Sequence, residues 1–317
     1  MSASISGTRA FVLGAGLGTR LKTLTERRPK PLIPIYGKPL ITFAFDQLIA
    51  AGAGEIVINT HHCHEAYNAA FPEGMYRGTR LIFEHEPVLL ETAGGIKNVE
   101  RHFSGEGFVV YNGDILTNLP LEKVLAHHRT SGNEVTMVLR SQGEPLHVAL
   151  DGGRVMDIAN RLGVTGCPRY LFSGIYVVEP EFLRRIPEQA KISVIPLFMA
   201  MIKEGGKLGG LVMDEGYWWD LGTREKYLEV HAALAKGDFF GDVREWRTRI
   251  DATARVAVDA RLGGFTAVGA GAVIEGGAQV TDCILWEGAR VLAGSVLNRC
   301  IVTFDRTAAG EQTGVDF

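Results

Sequence analysis

Between Leu13 and Pro39 the sequence reads LGAGLGTRLKTLTERRPKPLIPIYGKP, a set of residue types suited to handling phosphate. Leu13, Gly14, Ala15, Gly16, Gly18 and Thr19 form a loop in which three glycines let backbone N–H groups approach an anion without interference from Cβ atoms. Such a loop also fits a tight turn between strand and helix. Arg20 follows it. Lys30 comes ten residues later, between Pro29 and Pro31, whose rings restrict the backbone and aim the lysine. Either cation taken singly also fits a solvated surface. Two nucleotide motifs fail on spacing. A dinucleotide fingerprint requires Gly or Ala where Thr19 stands, and an acidic residue after the second strand, where Asn59-Thr60-His61 stand. A P-loop requires Gly-Lys-Ser/Thr, but Gly18 leads to Thr19-Arg20. A phosphate-transfer site is the chemistry that remains.

Two aspartates can supply hard oxygen ligands for Mg²⁺. Residues 108–111 read as a strand ending in Asn112-Gly113-Asp114, although this tripeptide also reads as a turn. Tyr217-Trp218-Trp219-Asp220-Leu221-Gly222-Thr223 sets Asp220 beside two aromatics, with Thr223 as a helix N-cap. Asp220 alternatively serves only as a capping or turn residue. Glu91-Thr92-Ala93-Gly94-Gly95 opens a helix that Thr92 can cap, with exposed Gly94 and Gly95 amides available to a ligand. His61, His62 and His64 have a spacing that metal sites use. Cys63 is their one supporting neighbour, so a surface or loop role is the better reading.

These groups need a frame. Short apolar runs at 10–13, 55–60, 80–84, 108–111 and 135–139 alternate with helical patterns, including one at 39–51 with Pro39 at its start. Alternation of this kind predicts βαβ units: a doubly wound, mostly parallel Rossmann-like α/β sheet, with ligands at the carboxyl ends of its strands. Residues 154–158 and 173–178 read as further strands, 193–203 and 223–235 as helices, and 236–249 as a connector. The tail then becomes periodic. Ile250, Val256, Leu262, Val268, Ile274, Val280 and Trp286 recur every six residues, with alanine and glycine filling much of the space between. After Trp286 the phase slips by one, continuing through Leu285, Val291 and Leu297. A six-residue apolar repeat predicts a short left-handed parallel β-helix of roughly three coils.

Composition removes other classes. The net charge of −3 over 317 residues excludes a generally basic nucleic-acid surface. No uncharged apolar run reaches the ~18 residues of a membrane span. Four widely spaced cysteines without a C-x-x-C pair argue against structural zinc and a disulfide scaffold. With no signal-peptide pattern at the start, a cytoplasmic protein is expected.

Gly18-Thr19-Arg20, Pro29-Lys30-Pro31-Leu32 and Lys38-Pro39 together resemble the signature of the sugar-1-phosphate nucleotidyltransferases, or nucleotide-sugar pyrophosphorylases. Thr23-Leu24-Thr25 stands where that family usually has Pro-Leu-Thr. The resemblance covers essentially the whole chain, because a hexapeptide-repeat β-helix often follows the family's catalytic domain. It implies a nucleotidyltransferase GT-A-like domain over 1–236 and a β-helix domain over 250–304. It further implies a nucleoside triphosphate and a sugar 1-phosphate as substrates, with Mg²⁺ on Asp114 and Asp220. Arg20 and Lys30 would neutralise phosphate. The loop from Leu13 to Thr19, with Glu91, Thr92 and Gly94, would hold the nucleotide. Asn112, Ser173 and Gly174 would line the sugar, Asn160 standing where the family often has a glutamate. The stretch 89–96 looks most like uridylyltransferases acting on N-acetylmuramate 1-phosphate and guanylyltransferases acting on mannose or heptose 1-phosphate. Two other readings are a catalytically silent regulatory homologue, disfavoured by the presence of all four charged residues, and a β-helix acyltransferase. Histidine is absent after His231, which disfavours the latter. The tail is therefore expected to serve assembly of a homo-oligomer, or regulation.

Overall fold

A computed structural model describes residues 8–16, 18–103, 105–237 and 249–317. They form two compact units, one of residues 8–16 with 43–218, the other of residues 18–42 with 219–317. Most of the expected connector, 238–248, lies outside the described residues. Among those described, no helix is long and apolar enough to cross a membrane.

The first unit is built on a ten-stranded sheet. Thr79–His85, Ala53–Thr60, Thr8–Leu13 and Phe108–Asn112 lie side by side and parallel, as the alternating pattern predicts. The sheet then turns mixed. Arg169–Val178 enters antiparallel between Phe108–Asn112 and Val135–Arg140, and Val148–Asp151 pairs antiparallel with Arg154–Ile158. The expectation of a mostly parallel sheet holds for one half only. Strands joined by tight turns such as Gly152-Gly153 have no crossover helix and must pair antiparallel. The core gathers Phe11, Val57, Phe108, Val110, Tyr176 and Phe198, all nearly inaccessible. The first helix spans Ile41–Ala50, later than Pro39. Lys38–Pro39 is spent in a hairpin with Pro34–Ile35, closed by Tyr36 and Gly37 at positive φ.

In the second unit the tail winds as three parallel sheets of four, four and three short strands. Val268, Ile274, Val280, Leu285, Val291 and Leu297 fill its interior. The phase slip falls one repeat earlier than the sequence reading placed it. Val256 stacks on Ile274, eighteen positions on, whereas Val268 stacks on Leu285, seventeen on. The missing residue is at a corner: three residues, 264–266, separate Arg261–Gly263 from Ala267–Val268, but only two, 282–283, separate Gln279–Thr281 from Ile284–Leu285. The Cys283 N–H donates to Thr266 Oγ1 (3.3 Å), and the Cys300 N–H to Cys283 Sγ (3.3 Å), so side chains close the shortened corners. Trp286 consequently leaves the interior row. Rungs also continue past 304, through Glu311–Thr313.

Helix Arg224–Lys236 and the 34–39 hairpin meet at His231, which is fully buried. Its Nε2 accepts from the Tyr36 N–H (3.4 Å), and its Nδ1 lies 2.9 Å from the Tyr227 carbonyl as donor. Burial pulls its pKa down from 6.5 to about 4. The unfolded chain therefore binds the extra proton first. Stability is fully present above pH 6.5 and falls by about 3 kcal/mol as pH drops toward 4. Urea melts across pH 7 to 4 should show this slope in the wild type and a flatter one in His231→Phe. Parallel slopes would remove His231 as the cause.

Candidate active site

Strand Thr8–Leu13 delivers the glycine loop at its carboxyl end, beside the end of Phe108–Asn112. The Gly113 N–H donates to the Leu13 carbonyl (2.9 Å), so Asp114, half-buried, follows directly on the neighbouring strand. Gly14 is clamped at both ends of its peptide. Its N–H donates to Asn59 Oδ1 (2.9 Å), and its carbonyl accepts from the Tyr67 hydroxyl (2.9 Å). A Cβ there would sit 2.7 Å from the Asn59 carbonyl oxygen. Gly14 thus serves packing, and its amide is already used. Gly16 is exposed, with open space around a notional Cβ. Gly14→Ala is expected to destabilise the fold by about 1–3 kcal/mol through overpacking. Gly16→Ala should change stability by less than about 0.5 kcal/mol. Urea midpoints of the two variants check this, and equal shifts would contradict it.

Behind the loop, Asn59 Nδ2 donates to Glu86 Oε1 (2.8 Å), and the Leu90 N–H donates to Glu86 Oε2 (3.0 Å). Burial pushes the Glu86 carboxyl up, and these two bonds act against that. Tyr67 is fully buried, so its phenol is pushed up and keeps its proton; the Asp114 charge acts in the same direction. Sequence reading missed Asn59, Tyr67 and Glu86. For Asn59 the signal is a polar residue at the carboxyl end of a central strand, where ligands of such sheets bind. Tyr67, in helix Glu65–Ala70, and Glu86, after Thr79–His85, carry no such signal.

Helix Glu91–Asn98 starts differently from expectation. Thr92 is no cap: its Oγ1 accepts from the Val194 N–H (2.9 Å). Gly94 and Gly95 are buried, not exposed. The Gly94 N–H donates to the Ile192 carbonyl (3.1 Å), and a Cβ on Gly95 would meet Asn59 Nδ2 at 2.8 Å. Both glycines allow close packing. Glu91, at φ 62°, is exposed.

Asn112, Ser173 and Gly174 come together. Gly174 lies at φ 80° in an irregular stretch of Arg169–Val178, and a Cβ on it would fall 2.7 Å from Asn112 Nδ2. The Ser173 carbonyl accepts from the Trp218 indole N–H (2.9 Å). Asn160 is on an exposed turn after Arg154–Ile158, where its Oδ1 accepts from Arg169 (3.0 Å). His61 sits 2.7 Å from the Glu86 carbonyl, His62 3.2 Å from Cys63 Sγ, and the His64 ring stacks on His85 at 4.0 Å.

The second unit holds the two cations and the other aspartate. Gly18, at φ 64°, opens the 3₁₀ helix Thr19–Thr25. Arg20 lies against Gly222, where a Cβ would be 2.8 Å from its Nη1. Pro29 is extended at φ −63° and ψ 147°, and Lys30–Leu32 forms the next 3₁₀ turn. Lys30 is 5% exposed, and its Nζ is 3.3 Å from Asp220 Oδ1. A buried ammonium needs such a counter-charge. Asp220 belongs to strand Trp218–Asp220, so it is not the cap of the helix that follows. Thr223 is that cap, accepting from the Lys226 N–H (3.3 Å).

Among the described residues no group of three or more His, Cys, Asp or Glu side chains can hold a metal. Asp114 in the first unit and Asp220 in the second are each a hard oxygen donor of the kind Mg²⁺ takes, since that ion keeps several waters and binds one or two carboxylates plus substrate phosphate.

A family model described as nucleotidyl transferase matches residues 9–237. The chain is 31% identical over 299 residues to mannose-1-phosphate guanylyltransferase of Mycobacterium tuberculosis, covering 92% of this chain and 83% of that one. It is 30% identical over 227 residues to N-acetylmuramate alpha-1-phosphate uridylyltransferase of Neisseria meningitidis serogroup B, covering 71% of this chain and 97% of the relative. In fold it is similar to HddC from Yersinia pseudotuberculosis, solved with GMP-PN, at TM-score 0.58 and 23% identity over 70% of this chain and 97% of that one. The matched span runs from the strand that bears the glycine loop through the aspartate segments to the end of helix Arg224–Lys236, and on that match the chain belongs to the nucleotidyl transferase family.

Proposed function

We propose that the chain joins a nucleoside triphosphate to a sugar 1-phosphate, releasing pyrophosphate and an NDP-sugar. The observation that carries this reading is the Lys30–Asp220 pair, 3.3 Å apart, with the buried Lys30 set on a proline-bounded turn. An oxygen of the sugar phosphate attacks the α-phosphorus. A new P–O bond forms, the α–β bridging bond breaks, and pyrophosphate leaves with the electron pair. The nucleophile is already ionised near neutral pH, so no general base is required. The barrier is largely repulsion between anions, which positioned cations lower.

In this reading Lys30 meets the sugar phosphate and α-phosphate, and Arg20 the β- and γ-phosphates and the departing pyrophosphate. Ala15, Gly16, Gly18 and Thr19 hold the triphosphate, with Gly16 as the approachable position, and Leu13 and Gly14 shape the loop through their own hydrogen bonds. Glu91, Thr92 and Gly94 flank the base and ribose, Gly94 through its packing. Asn112, Ser173 and Gly174 line the sugar, with Asn160 as an outer contact. Mg²⁺, held by Asp114 and Asp220, would supply neutralisation of charge at the α-phosphate. The cytoplasm and a self-associated form belong to the same proposal.

A guanylyltransferase acting on mannose 1-phosphate or a similar heptose phosphate is the favoured version, because similarity to the mycobacterial guanylyltransferase extends over 92% of the chain, tail included. The second version is an N-acetylmuramate-1-phosphate uridylyltransferase, supported by a relative matched over 97% of its own length. Pyrophosphate release from five triphosphates, each with mannose, heptose, glucose and N-acetylmuramate 1-phosphates, separates them. Release with GTP and mannose or heptose 1-phosphate supports the first version. Silence across the panel would defeat the reading.

A further inference from the structure

We infer that the β-helix aims the phosphate-binding lysine, and that Trp286 is the positioning residue through which it does so. This rests on the role proposed for Lys30. Trp286 is 1% exposed, and it lies outside the apolar row that fills the β-helix. Its indole N–H donates to the Tyr227 hydroxyl (3.1 Å), and that hydroxyl donates to the Pro34 carbonyl (2.5 Å). The Arg28 guanidinium lies 3.6 Å from the Phe304 ring centroid and 6.0 Å from that of Trp286, with Glu287 at 3.8 Å. Trp286 and Phe304 pack edge to face, with centroids 5.0 Å apart.

These contacts pin a seven-residue strap, 28–34, at both ends. Arg28 is held two residues before Lys30, and Pro34 four residues after. Between them the chain has little freedom, because Pro29 and Pro31 restrict it and the Ile33 N–H closes on the Lys30 carbonyl (3.1 Å). Tyr227 also lies in the second turn of the helix that Thr223 caps, three residues after Asp220. One indole therefore supports the strap that carries Lys30 and the helix that follows Asp220. Aromatic and cation–π contacts of this kind fix geometry at little entropic cost.

The test uses the full chain and two independent readouts. Hydrogen–deuterium exchange of the 32–33 amides should accelerate at least about tenfold in Trp286→Ala, since those bonds close the strap. In the same variant kcat for pyrophosphate release should fall about 10–100-fold, with both KM values within about threefold, because a displaced cation loses alignment more than binding. Trp286→Phe keeps a ring and should stay within about threefold of wild type. In a Lys30→Arg background, adding Trp286→Ala should cost less than about threefold more, whereas general damage would multiply fully. Should Trp286→Ala not fold, Phe304→Leu removes the same aromatic face more gently and is read identically. Unchanged exchange overturns the brace. Faster exchange with wild-type kcat, or full multiplication with Lys30→Arg, overturns its positioning role. Wild-type turnover in Lys30→Ala would instead defeat the proposed function of Lys30, leaving the exchange result to judge the brace alone.

Discussion

Lys30→Ala will release pyrophosphate about 10²–10³ times more slowly than the wild type, the usual loss for one charge-stabilising contact at a reacting centre. Lys30 is 5% exposed and its Nζ lies 3.3 Å from Asp220, so the charge sits in poorly hydrated surroundings where its field is weakly screened. Lys30→Met separates charge from packing. Its thioether stem can still fill the space beside Gly18, where a notional Cβ comes within 3.2 Å of the Lys30 Cβ. Both variants should be equally slow, and Lys30→Met should melt closer to wild type. Steady-state rates and thermal melts on the same samples settle both points. Activity above a tenth of wild type in Lys30→Met would remove the charge from the mechanism.

Asp114→Asn and Asp220→Asn should each lose activity on the same scale, about 10²–10³-fold, and excess EDTA should silence the wild type. The two substitutions differ in their side effects. Asp220→Asn leaves the buried Lys30 ammonium beside a neutral amide, so its melting temperature should drop. Asp114→Asn removes a negative charge that acts on the Tyr67 phenol and should leave the melting temperature nearly unchanged. The proposed function gives Mg²⁺ both carboxylates, so Mg²⁺ titrations of the two variants should show similar weakening, and the double variant no measurable binding. Full turnover in EDTA would exclude a divalent ion from the reaction.

The chemistry was legible wherever it rests on residue type and short spacing. Gly18-Thr19-Arg20 and Pro29-Lys30-Pro31 carry the family resemblance, and their backbone geometry is legible because glycine and proline dictate it locally. Asn112-Gly113-Asp114 sits at a strand end that alternation alone predicts. The six-residue period announces the β-helix, since every sixth side chain must enter one narrow interior. Other features depend on neighbours remote in sequence. Gly14 and Gly94 read as amides open to a ligand until the fold supplies Asn59 and Ile192 as their acceptors. Thr92 reads as a cap until the Val194 N–H reaches it. The antiparallel insertion of Arg169–Val178 depends on pairing with Phe108–Asn112 and Val135–Arg140, strands remote from it in sequence. Trp286 fits the hexapeptide count, and one residue lost at a corner turns it outward. Spacing along the chain fixes which groups are present and how the backbone carries them locally. Which of them are already bonded to one another, and which are left to meet a substrate, is decided by long-range packing, because a hydrogen bond spans 3 Å in space whatever the distance in sequence.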